Sequence, residues 1–417
     1  MNMRAVRIWV CALAGAMSFG GAAWGGTELG GGGALVVTFQ NSVQLPANAV
    51  DQNAVAFTVT GMSGVVRMAD GGFAAVMDNS NKVVRFSLAV NSGTGAVSSP
   101  VLAAGVSLES TRDFEGIARM PPASSGFGMG DVLLSDEAAP PGGPGVSRWA
   151  VPSGIGFGNV GVPSVFGAIR ANFGFESLTS GVGRLAHDEV WAANEEALTV
   201  DGAASSQSAG TTVRLLRMVG GVASQQFAYV CDPWHGTAIS GARSGLSDLC
   251  LLPDGRLLAL ERSFAFSGSG FFRTRIYLVD VSGATDVSGL ASLGGGGFTA
   301  ATKTLLYSGF LQNVEGLCVG PALTTSGEYA LIGITDDADP ISTNSVYAWK
   351  VAGVGPVPCA GDVNDDGFRN TADLTGFLGA FGSAGAPGFR AADLVPDGTV
   401  NTADLVFFLG RFGQGCP

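Results

Sequence analysis

The chain has 417 residues, of which 46% are hydrophobic, only 13% are charged and 65 are Gly. Disordered chains are poor in apolar residues and rich in charge, so disorder is excluded, and much Gly with little Lys or Glu favours short strands and turns over helices. A net charge of −12 argues against a stripe that binds nucleic-acid phosphates, and two histidines (His187 and His235) give little material for a His-rich metal site or a Ser-His-Asp triad.

At the N-terminus, Arg4 and Arg7 precede an apolar run from Ile8 to Trp24, and Ala23 and Gly25 form a −3/−1 cleavage pair. Basic, apolar, then small is the order of a secretory signal peptide, which sets residues 1–25 apart as an address. An uncleaved anchor is the alternative, but the run is short and rich in Gly and Ala for a span of about 20 residues. No later stretch is long and apolar enough to cross a bilayer, so the expected protein is secreted or held at the cell surface.

Export makes disulfides possible. With Cys11 removed, Cys231, Cys250, Cys318, Cys359 and Cys416 remain. Cys250 and Cys318 occupy matching positions in two repeats and read as buried small apolar residues, with a bond to Cys231 as the alternative. Cys359 and Cys416 bracket the last segment, and pairing them would staple its ends.

Residues 26–352 form a repeating body. A pattern returns every 52 to 72 residues: an acid before a short apolar strand, a turn, then a second strand ending in acid. The copies start at Ser63-Gly64-Val65, Glu115-Gly116-Ile117, Glu176-Ser177-Leu178, Asp248-Leu249-Cys250 and Glu315-Gly316-Leu317. Their second strands end at Asp78, Asp136-Glu137, Glu195-Glu196, Glu261 and Asp336-Asp337. Two more β-rich runs follow in most copies, as in RIYLVDV at 275–281 and TKTLLYS at 302–308. Four strands per period with Gly-rich turns predict an all-β propeller. The fifth copy has only one further strand, SVYAWKV at 345–351, and ALVVTFQNSVQL at 34–45 can supply the missing one, which removes the exposed sheet edges. Five blades then account for the body, with six as the alternative.

The first two strands of a blade are antiparallel, so both acid series converge on one mouth of the central channel. Glu115, Glu176, Asp248 and Glu315 are expected to form an inner ring, and Asp78, Glu137, Glu195, Glu261 and Asp336 a second. Crowded carboxylates raise each other's pKa unless a cation neutralises them, and the natural neutraliser is calcium. Turn acids that accept backbone amides would give the same pattern without a metal. A G-x-S-x-G elbow is missing, GMSG at 61–64 and GARSG at 241–245 being the nearest approaches.

RDFEGIA at 112–118, NFGFESL at 172–178, LSDLCLLPDGRLLALER at 246–262, NVEGLCV at 313–319 and GITDDADP at 333–340 are where the chain resembles the phytase-like, or esterase-like, domain. The resemblance covers nearly all of 34–351 and implies a secreted, calcium-dependent propeller that hydrolyses phosphate or other esters. Glu115, Glu176, Glu315 and Asp336 would then hold calcium over the substrate, with Asp248 in the same ring. Arg112, Arg243 and Arg262, next to or near the motif acids, would clamp a phosphate, with structural ion pairs to the neighbouring carboxylates as the alternative. The lysines (82, 303 and 350) stand beside no motif acid, which weakens the case for a polyphosphorylated substrate. A non-catalytic propeller that binds a ligand or envelope component is the second reading.

Gly353 to Pro358 is a Gly/Pro linker to a tail, 359–417, that repeats at 31 residues: Asn370-Thr-Ala-Asp-Leu374 recurs as Asn401-Thr-Ala-Asp-Leu405. With Asp362 as position 1, oxygen ligands fall at Asn364, Asp366, the Phe368 carbonyl, Asn370 and Asp373, with Gly367 at the turn. The second copy offers Asp393, Asp397, Asn401 and Asp404, with Val395 where a ligand is missing. A short apolar helix is expected after each loop. The tail resembles a dockerin of the Gly-Cys-ended kind, which implies two calcium ions and docking to a cohesin-like or cell-surface anchor partner. A calcium-stapled cap without a partner is the alternative.

Overall fold

The computed structural model describes residues 33–355 apart from 79, 122–126, 138–143, 152 and 182–188, and in the tail residues 361–363, 369–382, 392, 394 and 399–413. An N-terminal strand β1 (Val36–Gln44) and a small ribbon, β2 (Asn48–Val50) with β3 (Ala56–Thr58), precede the repeats. Four antiparallel four-stranded sheets follow in chain order. Blade one is β4 (Met62–Arg67), β5 (Phe73–Met77), β6 (Ser80–Val90) and β7 (Val97–Arg112). Blade two is β8 (Phe114–Arg119), β9 (Val132–Asp136), β10 (Gly145–Trp149) and β11 (Gly156–Val160). Blade three is β12 (Phe175–Ser180), β13 (Glu189–Asn194), β14 (Thr212–Val219) and β15 (Val222–Val230). Blade four is β16 (Arg243–Leu251), β17 (Leu257–Ser267), β18 (Gly270–Asp280) and β19 (Thr302–Gly309).

Blade five joins the two ends of the body. β20 (Val314–Ala322), β21 (Tyr329–Thr335) and β22 (Ser345–Ala352) take β1 as their outer strand, with Phe39 opposite Trp349 and Ser42 opposite Tyr347. The molecule is therefore a five-bladed β-propeller, and a sixth blade is excluded by how the cores fall. Each interface between neighbouring blades carries its own apolar cluster, five in all. Met62, Phe73, Cys318 and Ile332 share the one between blades five and one, so the ring is closed. Burying a large apolar side chain contributes about 1.5–3 kcal/mol, so each interface is a substantial cohesive unit.

At the axis the first strands of blades five, one and two approach so closely that no side chain fits between them. A Cβ on Gly64 would lie 2.5 Å from the Glu115 carbonyl oxygen, and one on Gly316 would lie 2.4 Å from that of Ser63. These glycines are what the Glu-Gly and Ser-Gly pairs of the repeat provide.

The tail forms two short helices, α1 (Thr371–Ala380) and α2 (Thr402–Leu409). Asn370 and Asn401 cap them, with Asp373 and Asp404 returning the bond to the cap amides. Phe377 and Phe408 stack at 5.6 Å between the helices. The amide of Gly413 donates to the Arg369 carbonyl and that of Gly382 to the Val400 carbonyl, at 2.7 and 2.8 Å. These are equivalent pairs 31 residues apart, so the sequence repeat folds as a two-fold related pair. Asn364, Asp366, Phe368, Asp393, Asp397, Cys359 and Cys416 lie outside the described residues, as does the 1–25 segment. Among the described residues no helix is long and apolar enough to cross a membrane.

Candidate functional site

Every first strand carries a break in its pairing register at the same point: Met62/Val65, Phe114/Ile117, Phe175/Ser177, Leu246/Asp248 and Val314/Gly316. A bulge of this kind re-aims one side chain. Aligning the blades on it places Ser63, Glu115, Glu176, Ser247 and Glu315 in one ring.

Asp248 is one residue further along and falls out of that ring, contrary to expectation. Its carboxylate accepts the amides of Leu317 at 2.7 Å, Leu249 at 2.8 Å and Leu178 at 3.4 Å, riveting blades three, four and five together. Cys250 and Cys318 are buried free thiols, as is Cys231.

The second ring is offset in the same way. Met77, Asp136, Asn194, Glu261 and Thr335 pair with the residues before the bulge, and the next residue in each blade reaches the mouth: Asp78, Glu137, Glu195, Arg262 and Asp336. Glu261 therefore faces away, bonded to Tyr229 Oη at 2.6 Å and to Lys303 Nζ at 2.5 Å. Blade four instead contributes a cation. Arg262 is 4% exposed and donates to Glu315 Oε1 and Glu195 Oε1, both at 2.5 Å, and to Asn313 Oδ1 at 2.9 Å. Its guanidinium is committed inside the protein, which removes it as a clamp for substrate.

The residue two before the ring position adds a third tier. It is Gly61, Gly174 and Gly245 in three blades but Asp113 and Asn313 in the other two. Asn313 Nδ2 donates to Glu315 Oε1 at 3.1 Å and to Asp336 Oδ2 at 3.2 Å. Neither side chain was singled out from sequence, although period-two alternation from Glu115 and Glu315 points to both. Asp337 lies beside the mouth but is structural, accepting the Gly61 amide and the Thr60 hydroxyl at 2.8 Å.

Among the described residues two groups of carboxylates are close enough to share an ion. Asp78, Asp113 and Glu115 each offer an oxygen within 4.8 Å of the others, and so do Glu115, Glu137 and Glu176. Glu115 belongs to both. Asp78 Oδ1 and Asp113 Oδ1 are buried and have no hydrogen-bond partner. Burial, then Glu176, pushes Glu115 well above the ordinary carboxylate range, and burial, then Glu195, does the same to Glu176. Burial and Glu195 push Glu137 up to about 8, and burial and Asp78 push Asp113 up to about 7. Glu315 is raised to about 8 by burial, against the pull of Arg262, and Asp336 is also raised by burial. Burial and crowding thus keep these carboxyls from ionising together in the absence of a cation, and a cation among them would relieve both effects.

The other expected clamps are nearer the surface. Arg243 Nε is 3.9 Å from Glu195 and its guanidinium lies 5.1 Å from the Phe173 ring centroid, with its side chain 36% exposed. Arg112 Nη1 reaches Asp136 and Asn159 at 3.4 Å. The three lysines are all paired, Lys82 with Asp51, Lys303 with Asp232 and Glu261, and Lys350 with Glu328. His235 is buried, bonded through Nδ1 to Ser263 Oγ at 2.8 Å and packed edge-on against Phe310.

A family model described as "Phytase-like: Esterase-like activity of phytase" matches residues 58–338. No curated protein matches the chain. Among solved structures, a PQQ-bound aldose sugar dehydrogenase from Streptomyces coelicolor is 14% identical with a TM-score of 0.35, over 76% of this chain and 98% of that one. An oxidoreductase (glucose dehydrogenase) from Thermus thermophilus is 12% identical with a TM-score of 0.34, over 74% and 99%. A streptogramin B lyase is 10% identical with a TM-score of 0.28, over 76% and 97%. Similarities this low carry no argument about activity.

Proposed function

The chain belongs to the phytase-like family, and from that premise we propose that it is a calcium-dependent ester hydrolase whose active centre is the acidic mouth. The observation that carries the reading is Glu115, one carboxylate shared by two triads of oxygen donors. Calcium takes six to eight hard oxygens, and the buried, unpartnered Oδ1 atoms of Asp78 and Asp113 fit that demand. Asp78, Asp113, Glu115, Glu137 and Glu176 would hold the ion or ions. A bound divalent cation supplies charge neutralisation at the ester oxygens and a water of lowered pKa. The protein's own part is to keep these carboxylates fixed: Arg262 and Asn313 lock Glu195, Glu315 and Asp336 around them. Arg243, about a third exposed and only loosely paired with Glu195 at 3.9 Å, is the cation we assign to orienting an anionic substrate.

The test is hydrolysis by the full chain of phosphomonoesters and carboxylic esters, with calcium and with chelator. Calcium-dependent phosphate release supports the proposal, and release from carboxylic esters alone keeps the hydrolase but discards the phosphate mechanism. One observation favours a second reading, a non-catalytic propeller that binds a ligand or envelope component: nearly every cation near the mouth is already paired. Saturable binding with no turnover on any ester would establish it.

We also propose that the tail is a dockerin-like calcium-binding module on an exported protein, docking to a cohesin-like or surface-anchor partner. The two-fold related helices with matching Asn caps support it. Asp362, Asn364, Asp366, Phe368, Asn370 and Asp373 would hold one ion, and Asp393, Asp397, Asn401 and Asp404 a second.

A further inference from the structure

The channel has a second end. The first strands start at the acidic mouth and run about 3.3 Å per residue, so their last residues lie roughly 13 Å away from Glu115 along the axis. Between those ends and the mouth a cavity of about 320 Å³ opens, lined in part by Val65, Ile117, Leu178 and Leu317, two residues beyond the mouth ring, and by Leu251 of blade four. That volume is at the lower end of the range for small-molecule sites, about 300–1,000 Å³.

Its polar groups are unequal. The Thr179 hydroxyl accepts the Leu251 amide at 3.0 Å and the Ser180 hydroxyl donates to the Arg119 carbonyl at 2.8 Å, so both are committed. Of the described acids at this end, Asp254 pairs with Arg256 at 2.6 Å, Asp70 with Arg85 at 2.6 Å and Glu328 with Lys350 at 2.9 Å, while the Asp131 carboxylate accepts the Val151 amide at 2.7 Å. Arg67 and Arg119 also line the cavity, and neither forms an ion pair with a described residue. Arg67 Nε is buried without a hydrogen-bond partner. In a chain of net charge −12, two uncommitted guanidiniums at the rim of an apolar cavity mark a site built for an anion with an apolar body.

We propose that this end of the channel binds a small amphiphilic monoanion, its carboxylate or sulfonate head on Arg67 and Arg119 and its apolar tail among the five inner-strand side chains. The site is separate from the acidic mouth and does not rest on the hydrolase reading.

The experiment is a fluorescence titration of the full chain with the aryl sulfonate 8-anilinonaphthalene-1-sulfonate, in chelator, followed by displacement with decanoate, decanol and decyltrimethylammonium. One saturable site is expected, displaced at least tenfold better by decanoate than by decanol and not by the cation. The double variant Arg67→Met/Arg119→Met should weaken binding at least tenfold. No saturable binding, or decanol competing as well as decanoate, would overturn the proposal. So would a folded double variant that binds like the wild type. If that variant fails to fold, the displacement series on the unaltered protein decides.

Discussion

Arg262 Nη1 lies 2.5 Å from Glu315 Oε1, tying the second strand of blade four to the first strand of blade five at the heart of the acidic mouth. Arg262 is the one basic residue in a ring position that the other four blades fill with acid. Replacing it with Met leaves Glu195 and Glu315 buried without their counter-charge, a loss of about 3–5 kcal/mol. Denaturant unfolding of Arg262→Met should show it. A clamp on substrate would instead raise KM and leave the unfolding midpoint in place.

Glu115 belongs to two carboxylate triads and Asp113 to one. Calorimetric titration with calcium should therefore find Glu115→Gln weaker by about 100-fold or more and Asp113→Asn by less, with ester hydrolysis falling in the same order. Equal losses in the two variants would contradict the sharing.

The raised carboxyl groups set a pH dependence whose sign is fixed. Glu137 and Glu315, both near 8, bind protons in the folded protein that they release on unfolding, where the ordinary value is 4.5. The folded state holds more protons between these limits, so metal-free stability falls as pH rises from about 4.5 to about 8 and levels off above. Thermal melts in chelator should drop by several degrees between pH 5 and pH 8. Calcium should flatten that slope and release protons on binding, measurable by titration in buffers of different ionisation enthalpy. A metal-free melting temperature that rises over this interval would contradict the charge accounting.

Asp248 provides the control for a buried acid outside the mouth. Asp248→Ala strands three backbone amides, two of them from neighbouring blades, each costing about 1–3 kcal/mol when buried and unsatisfied. Unfolding should move by several kcal/mol while kcat of the folded fraction stays within about twofold. A large fall in kcat without loss of stability would return Asp248 to the site.

Much of this architecture is legible in the chain. The recurring unit of a polar residue, a small residue and an apolar one marks the first strands, and in blades one, two and five the middle residue is Gly because no Cβ fits there, as at Gly64 and Gly316. The lone third strand of the fifth copy, with ALVVTFQNSVQL unclaimed at the start, dictates that the ends close one sheet. The Asn-Thr-Ala-Asp-Leu repeat likewise writes two capped helices, because an Asn cap and an Asp three residues on satisfy the first-turn amides locally.

What the chain alone leaves open is which way an acid points. Side chains alternate along a strand, so a slip of one residue exchanges mouth for interior, and the bulge that sets the phase is a property of pairing between strands. That is why Asp248 and Glu261, which match the ring acids in the sequence pattern, face backbone amides and Lys303 instead, while Ser247 and Arg262 take their places. It is also why Asp113, and not a residue of the expected rings, completes the triad with Asp78 and Glu115. The sequence by itself determined five repeats and an acidic mouth; which carboxylates share an oxygen cage, and which guanidiniums stay uncommitted, was decided only when five sheets closed into a ring.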